Sequence, residues 1–303
     1  MDIAIMIEGQ NGLTWPRWRS LVRAVEDLGF AGLYRSDHFT NAAGPDQESL
    51  ELWTSLTWLA SHTQRIEFGP LVSPVSFRHP ALTARMAAAV DDLSGGRLTL
   101  GLGAGWQERE HTLFGFDLLP LKERFARFEE GLQVVSSLLT SDTPATFAGK
   151  YFQLREAMLL PRPARPGGPP ILVGGNGEGR TLRLAARYAG EWNAVYLPPA
   201  EFARLSARLD EYLRLEGRDP GTVKRSMMTG LRFARTQQEL DARLAARDQT
   251  VDALRQRGVI VGAGDEIVPQ LAELAQAGVG RVMLQCLDLD DLSGLDALAK
   301  AVL

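Results

Sequence analysis

Asp37 and His38 stand side by side in "GLYRSDHFTNAAGPD", where an apolar run gives way to small and turn-forming residues. A carboxylate next to an imidazole suits proton transfer, because imidazole titrates near neutrality. The same two residues also suit a turn cap and a packed ring. Their place at the end of a strand-like run is what raises the chemical reading. Downstream, "GLGAGWQEREH" alternates Gly101, Gly103 and Gly105 with Leu102 and Ala104. Missing side chains there let a flat ligand or another backbone approach closely. Trp106 offers an apolar wall, with Glu108, Glu110 and His111 as the nearby titratable groups. The alternative is a glycine-rich strand packed on bulky neighbours, followed by a solvated charge run.

A third cluster is "VGGNGEGRTLRLA", in which Gly174, Gly175, Gly177 and Gly179 lead into a helix with Arg180 in its first turn. Free N–H groups at a helix start form an anion site, and a phosphate fits it as well as a plain tight turn does. No Gly-Lys-Ser/Thr follows, so it is not a Walker loop, and the strand-four glycines lack the spacing of the dinucleotide fingerprint. A fourth cluster, "GPLVSPVSFRHP", holds Pro70, Pro74 and Pro80 with Arg78 and His79. Arg78 there suits an anion or a tie to a backbone carbonyl.

Each cluster follows a strand-like run, which asks what elements hold the runs. "IAIMIE", "GLYRSD", "IEFGPLV", "RLTLGLG", "PILVGG", "EWNAVY", "SMMTGLRFA" and "RVMLQCL" alternate with helical patterns. Leu21, Val25 and Leu28 share one helix face, and Phe125, Phe128, Leu132, Val135 and Leu139 another. Gly29, Gly95, Gly96, Gly190 and Gly278 fall between a helix and the next strand, as left-handed caps do. The pattern predicts an α/β fold, a (β/α)8 TIM barrel with insertions in its βα loops, over an open doubly wound sheet. One domain over residues 1–303 is expected, with an irregular, proline-rich excursion at about 142–170. In a barrel the chemistry gathers at the C-terminal strand ends, where the four clusters fall.

Net charge of -4 argues against a nucleic-acid partner, which needs a basic face. Cys286 is the one cysteine, so no internal disulfide forms, which suits a reducing compartment. "MDIAIMIEGQ" reads as a first strand and not a signal peptide, and no apolar run approaches the ~20 residues of a membrane span. A cytoplasmic protein away from membranes is expected, with no metal site.

The combination of "GLYRSDHF", the run from "FGPLVSPVSFRHP" to "GLGAGWQEREH", and "PPILVGGNGEGRTLRLA" resembles the bacterial luciferase-like flavin monooxygenases. Within them it is most similar to the branch of probable coenzyme F420-dependent oxidoreductases. The resemblance covers nearly the whole chain. It implies a barrel whose mouth binds an isoalloxazine-type ring, with coenzyme F420, a deazaflavin, as cofactor and FMN as the alternative. It implies His38 as proton donor or acceptor, with Asp37 positioning the ring or the imidazole. It also implies a non-proline cis peptide at Leu71–Val72, with Leu71, Val72 and Ser73 against the ring. Gly103 and Gly105 join the cofactor site, and Gly174, Gly175, Asn176, Gly177 and Arg180 its phosphate end. Trp106, Glu110 and His111 would line the substrate pocket. Trp106 stands where the sugar-phosphate dehydrogenases of the branch carry a glutamate, and their phosphate-binding lysines have no match.

The expected activity is therefore hydride transfer between the deazaflavin and a small-molecule substrate. The alternatives are an FMN-dependent monooxygenase fed by a separate flavin reductase, and a flavin-binding barrel without turnover. A homodimer is expected through the second and third helices, since Trp53, Trp58, Leu52, Leu56 and Leu59 exceed what one helix stripe needs.

Overall fold

The computed structural model describes residues 1–303. Its first half runs β1 (Asp2–Ile7), α1 (Trp15–Leu28), β2 (Gly32–Arg35), α2 (Leu52–His62), β3 (Glu67–Pro70), β4 (Ser73–Pro74), α3 (Pro80–Leu93), β5 (Leu100–Gly103), α4 (Glu108–Phe114) and α5 (Leu121–Thr140). The second half runs β6 (Ala145–Ala148), β7 (Gln153–Ala157), β8 (Ile171–Gly174), α6 (Thr181–Tyr188), β9 (Glu191–Val195), α7 (Pro199–Leu215), β10 (Lys224–Ala234), α8 (Gln237–Ala245), α9 (Val251–Gln256), β11 (Ile260–Ala263), α10 (Val268–Gln276), β12 (Arg281–Gln285) and α11 (Leu292–Val302).

Strands such as β2 and β5 are buried at every residue, because helices cover one face and the barrel interior fills the other. Neighbours run β3-β2-β1-β12-β10-β9-β8-β5-β4, and the pairings along this path are parallel. β3 and β4 are two halves of one strand, parted at Leu71–Val72, whose peptide bond is cis. The lower half meets the following segment through Phe68 N–H to Arg97 O (3.1 Å) and Thr99 N–H to Phe68 O (2.8 Å). The upper half pairs Ser73 with Leu102. The sheet thereby closes into the TIM barrel that the sequence pattern predicts.

Two glycines make the closure possible. A Cβ on Gly69 would overlap Thr99 O, and one on Gly101 would overlap Pro70 O. Only missing side chains let these backbones lie so close. The main core of 63 residues fills the space between strands and helices. A smaller cluster of Ala4, Met6, Tyr34, Leu71, Leu172 and Met283 plugs the barrel interior. Below it, the buried Arg281 guanidinium donates to Tyr34 Oη (2.5 Å) and Glu191 Oε2 (3.2 Å) and pairs with Glu67.

Several elements depart from expectation. The excursion holds a β-hairpin, β6 against β7, whose turn is fixed by Glu130. That carboxylate accepts from Lys150, Tyr151 and Phe152 N–H at 2.8, 2.7 and 3.1 Å. The charged run after strand four is not a solvated loop but α4. One long polar helix after strand seven is two, α8 and α9, each started by a threonine cap. β11, "IVGA", pairs with the far half of β10. Trp53 is 4% exposed within the single chain, although its indole N–H has no hydrogen-bond partner, and Trp58 packs on Trp15 and stacks on His62, so both rings pack within the chain. No helix is long and apolar enough to cross a membrane.

Candidate active site

All eight barrel strand positions end at one mouth, and the polar residues there come from loops that leave the strands. β2 delivers Asp37 and His38 to its rim. Asp37 is buried and meets Arg78, Nη1 to Oδ2 at 2.5 Å, while Ser73 Oγ–H donates to the same oxygen at 2.7 Å. Arg78 Nη2 reaches on to Glu51 Oε1 at 2.7 Å. Arg78 therefore bridges two carboxylates of its own chain, in place of the backbone carbonyl that the sequence alone also allows. Burial pushes the Asp37 carboxyl above its usual range, and Arg78 and Ser73 pull against that shift.

The imidazole has a different partner. His38 Nδ1 lies 2.9 Å from Glu110 Oε1, on α4, and Glu110 Oε2 accepts the Phe39 N–H at 3.0 Å. Glu110 is 1% exposed, so this carboxylate is aimed inward and held at both oxygens. An ionised carboxylate only accepts, which puts a proton on His38 Nδ1. The Gln107 amide nitrogen also lies 3.3 Å from Nδ1, but with a proton already there that approach is no hydrogen bond. The amide instead donates to Thr40 O at 2.8 Å. Burial pulls the His38 pKa down, yet the hydrogen bond and charge of Glu110 outweigh it and leave the imidazole above its ordinary value. Trp106 stands edge-on to the ring at 5.5 Å and is 64% exposed, which makes it the outer wall of this pair.

His111 is turned the other way. It is buried, with Nδ1 at 2.6 Å from Gln107 O and Nε2 at 2.8 Å from Ser76 Oγ, against Phe77 and Phe116. Burial pushes its pKa down. Its geometry knits the loops after β4 and β5 together.

Across the mouth a second polar chain runs from Tyr196 to β1. Tyr196 O–H donates to Gln285 Oε1, and Gln285 Nε2 donates to Glu8 Oε1 at 2.7 Å. Gln10 Nε2 donates to the other Glu8 oxygen at 3.0 Å and takes a bond from Ser36 Oγ–H at 2.9 Å. Sequence reasoning missed this chain, since its members Glu8, Gln10, Ser36, Tyr196 and Gln285 are scattered over the sequence and meet only in the folded barrel. It also missed Glu110 as the imidazole's partner. Glu110 is the third residue of α4, and nothing in "QEREH" itself marks which of its two glutamates turns inward.

Val72 rises between the glycine clusters. A Cβ on Gly103 would come 2.5 Å from Val72 Cγ2, and Cβ atoms on Gly101 and Gly174 would come 3.2 and 3.1 Å from its Cγ1. The bare strand ends thus accommodate the Val72 bulge, which stands as an apolar ridge at the mouth. Gly105 takes a positive φ of 85° beside Ser76 and His111. Beyond β8, Gly175 N–H donates to Asn193 O at 2.9 Å, and the Asn176 side chain pairs with both backbone groups of Val195 (2.7 and 2.9 Å). Asn176 therefore pins the turn to the end of β9. The N–H groups of residues 176–179 donate to no protein acceptor, and Glu178 is drawn aside by Arg204 and Arg208. The Arg180 guanidinium rests over the Phe125 ring at 5.5 Å. An apolar ridge, free backbone donors on one side and the imidazole–carboxylate pair on the other fit a flat group that carries an anionic tail.

The family model of luciferase-like monooxygenases matches residues 1–251. The chain belongs to this family. It is 28% identical to 4-hydroxyprotoasukamycin monooxygenase of Streptomyces nodosus subsp. asukaensis over 90% of this chain and 81% of that protein. It is 30% identical to the F420-dependent glucose-6-phosphate dehydrogenase of Kineococcus radiotolerans over 69% of this chain, which spans 61% of that relative. Its fold superposes on an F420-dependent secondary alcohol dehydrogenase in complex with an F420-acetone adduct with a TM-score of 0.86, at 19% identity, over 99% of this chain and 98% of that one. The chain is thus an oxidoreductase of the luciferase-like kind.

Proposed function

We propose that this luciferase-like oxidoreductase transfers a hydride between coenzyme F420 and a small organic substrate, with His38 moving the proton. The observation that carries the reading is the buried Glu110 on His38 Nδ1 at 2.9 Å. With Nδ1 held, Nε2 is the nitrogen left to exchange a proton with the substrate. Bound deazaflavin supplies the hydride donor or acceptor, and its carbon in place of the flavin N5 makes the reduced ring poor at activating oxygen. The protein's part is to bind, orient and exclude water.

In this reading the Val72 ridge, with Leu71 and Ser73, supports one face of the ring. The turn of Gly174, Gly175, Asn176 and Gly177 offers its free N–H groups to the cofactor's phosphate. Asp37 shapes the rim by fixing Arg78 and Ser73. Trp106 screens the His38–Glu110 pair from solvent and gives the substrate an apolar contact.

A second reading, an FMN-dependent monooxygenase supplied by a flavin reductase, is favoured by the monooxygenase relative that spans 90% of the chain. Titrating the purified protein in parallel with F420 and FMN, followed by fluorescence, separates the two. Tighter F420 binding is expected. Tight FMN binding with negligible F420 binding would reverse the order. We further infer a homodimer built on α3, where Leu82 and Leu93 stand exposed. Light scattering is expected to give twice the chain mass, and a monomer mass at micromolar concentration would end that inference.

A further inference from the structure

β10 changes partners part-way along. Ser226 to Gly230 pair with Arg281 to Gln285 of β12, whereas Leu231 to Ala234 pair with Ile260 to Ala263 of β11. Past Gln285 the chain turns away toward α11, and a gap opens beside the barrel mouth. Neighbouring segments that part at a strand end leave a crevice of this kind. Here α8 and α11 cover it, leaving a cavity of about 340 Å³. That falls at the lower end of the range for small-molecule sites, roughly 300–1,000 Å³.

The lining has two characters. Phe233, Leu240, Leu244, Leu289, Leu295 and Leu298 make an apolar interior. Arg232, Arg243 and Arg247 bring three cations against the carboxylates of Asp288 and Asp291. Arg243 is answered by Glu239 at 2.6 Å and Asp291 at 3.2 Å. Arg232 and Arg247 meet no carboxylate. Arg232 donates to Gln249 Oε1 (3.3 Å) and Leu231 O (3.0 Å), and Arg247 only to Arg243 O at 3.5 Å. Two guanidinium groups without a carboxylate partner, at the edge of an apolar cavity, call for an anion. Burial and then the Arg247 charge hold Arg232 below its ordinary pKa.

We propose that this cavity binds an amphipathic organic anion, a medium-chain alkyl carboxylate, with its headgroup on Arg232 and Arg247 and its chain against the leucines and Phe233. Guanidinium forks match carboxylate geometry. The carboxylates of Glu239, Asp288 and Asp291 close by suit a singly charged headgroup better than a phosphate dianion. Gln285 lines the cavity and also holds Glu8 and Tyr196 at the mouth, so an occupant sits one side chain away from the active-site polar chain. The site stands on its own lining, whichever cofactor the mouth takes.

Calorimetric titration of the full chain with decanoate, 1-decanol and acetate tests the proposal. Decanoate is expected to bind at one site per chain, at least about tenfold more tightly than decanol, with no heat from acetate. Arg247→Gln, at an exposed position, and the double variant with Arg232→Gln are each expected to weaken decanoate by about tenfold or more while leaving decanol unchanged. Melting curves of both variants check that they fold. Absence of decanoate binding, equal affinity for decanol, or an unchanged affinity in the double variant would each overturn it.

Discussion

His38 and Glu110 come from strand ends 72 residues apart in the chain and meet at 2.9 Å, imidazole to buried carboxylate. The carboxylate's second oxygen is tied to the Phe39 backbone, so Glu110 orients the ring and its loop together. This makes Glu110 a positioning residue for the proposed proton transfer, and it separates the roles of the adjacent Asp37 and His38.

Glu110→Gln is expected to move the pH inflection of kcat/KM to lower pH. Glu110 is what lifts the imidazole above its ordinary value, while burial pulls it down. Without the carboxylate, burial is opposed only by the more distant charges of Glu8 and Asp37. The direction is the same whether His38 serves as acid or base, because its own titration is displaced. The same pair stabilises the fold most below the unfolded pKa of histidine, about 6.5, and that contribution is lost as pH rises through the raised folded value. Melting-temperature differences between wild type and Glu110→Gln should therefore shrink as pH increases. A pH profile that does not move would remove Glu110 from the mechanism.

His38→Ala should lower turnover by roughly 10²–10⁴-fold if the imidazole is the general acid or base. Cofactor affinity should fall much less, since the ridge and the glycine turn lie elsewhere on the mouth. Steady-state kinetics beside a fluorescence titration makes the comparison. Equal losses in both would return His38 to a packing role.

Gly103→Ala tests the close approach of β5 to the Val72 ridge. The added methyl would stand 2.5 Å from Val72 Cγ2, and overpacking of this kind costs about 1–3 kcal/mol. Gly179→Ala is the matched control, because nothing lies within 4 Å of its Cβ position. Urea unfolding of the two variants should differ by about that amount. Equal stabilities would mean that Val72 yields freely.

The eight strands were legible in the sequence because buried parallel strands are short apolar runs, and the helix between each pair restores its own period. The glycine clusters were legible as places of close approach, though what approaches Gly101 and Gly103 is the chain's own Pro70 and Val72. α4 was not, since "EREHTLF" shows polar residues where a helix usually shows its apolar stripe, and its buried members are Glu110 and His111. β11 is only four residues long and follows a helical pattern without a break strong enough to mark it. The His38–Glu110 contact could not be read locally, because it depends on how two loops converge once the barrel closes.

The last prediction concerns the opposite end of the barrel, where Arg281 and Tyr34 meet across 247 positions of sequence. Arg281 and Glu191 are both buried, and Arg281 Nη1 lies 3.2 Å from Glu191 Oε2. Burial raises the Glu191 carboxyl above its usual range, and the nearby guanidinium opposes that shift. Removing one partner of such a pair leaves the other uncompensated, which typically costs about 3–5 kcal/mol. Arg281→Met should therefore destabilise the fold by about that amount, with Glu67, exposed to solvent on one side, contributing less. Adding Glu191→Gln to Arg281→Met removes the stranded charge and should recover part of the loss. Chemical denaturation of the wild type, both single variants and the double variant gives the coupling directly. A double variant no more stable than Arg281→Met would show that Glu191 takes up a proton or finds water once its partner is gone, and that packing of the long arginine side chain accounts for the cost.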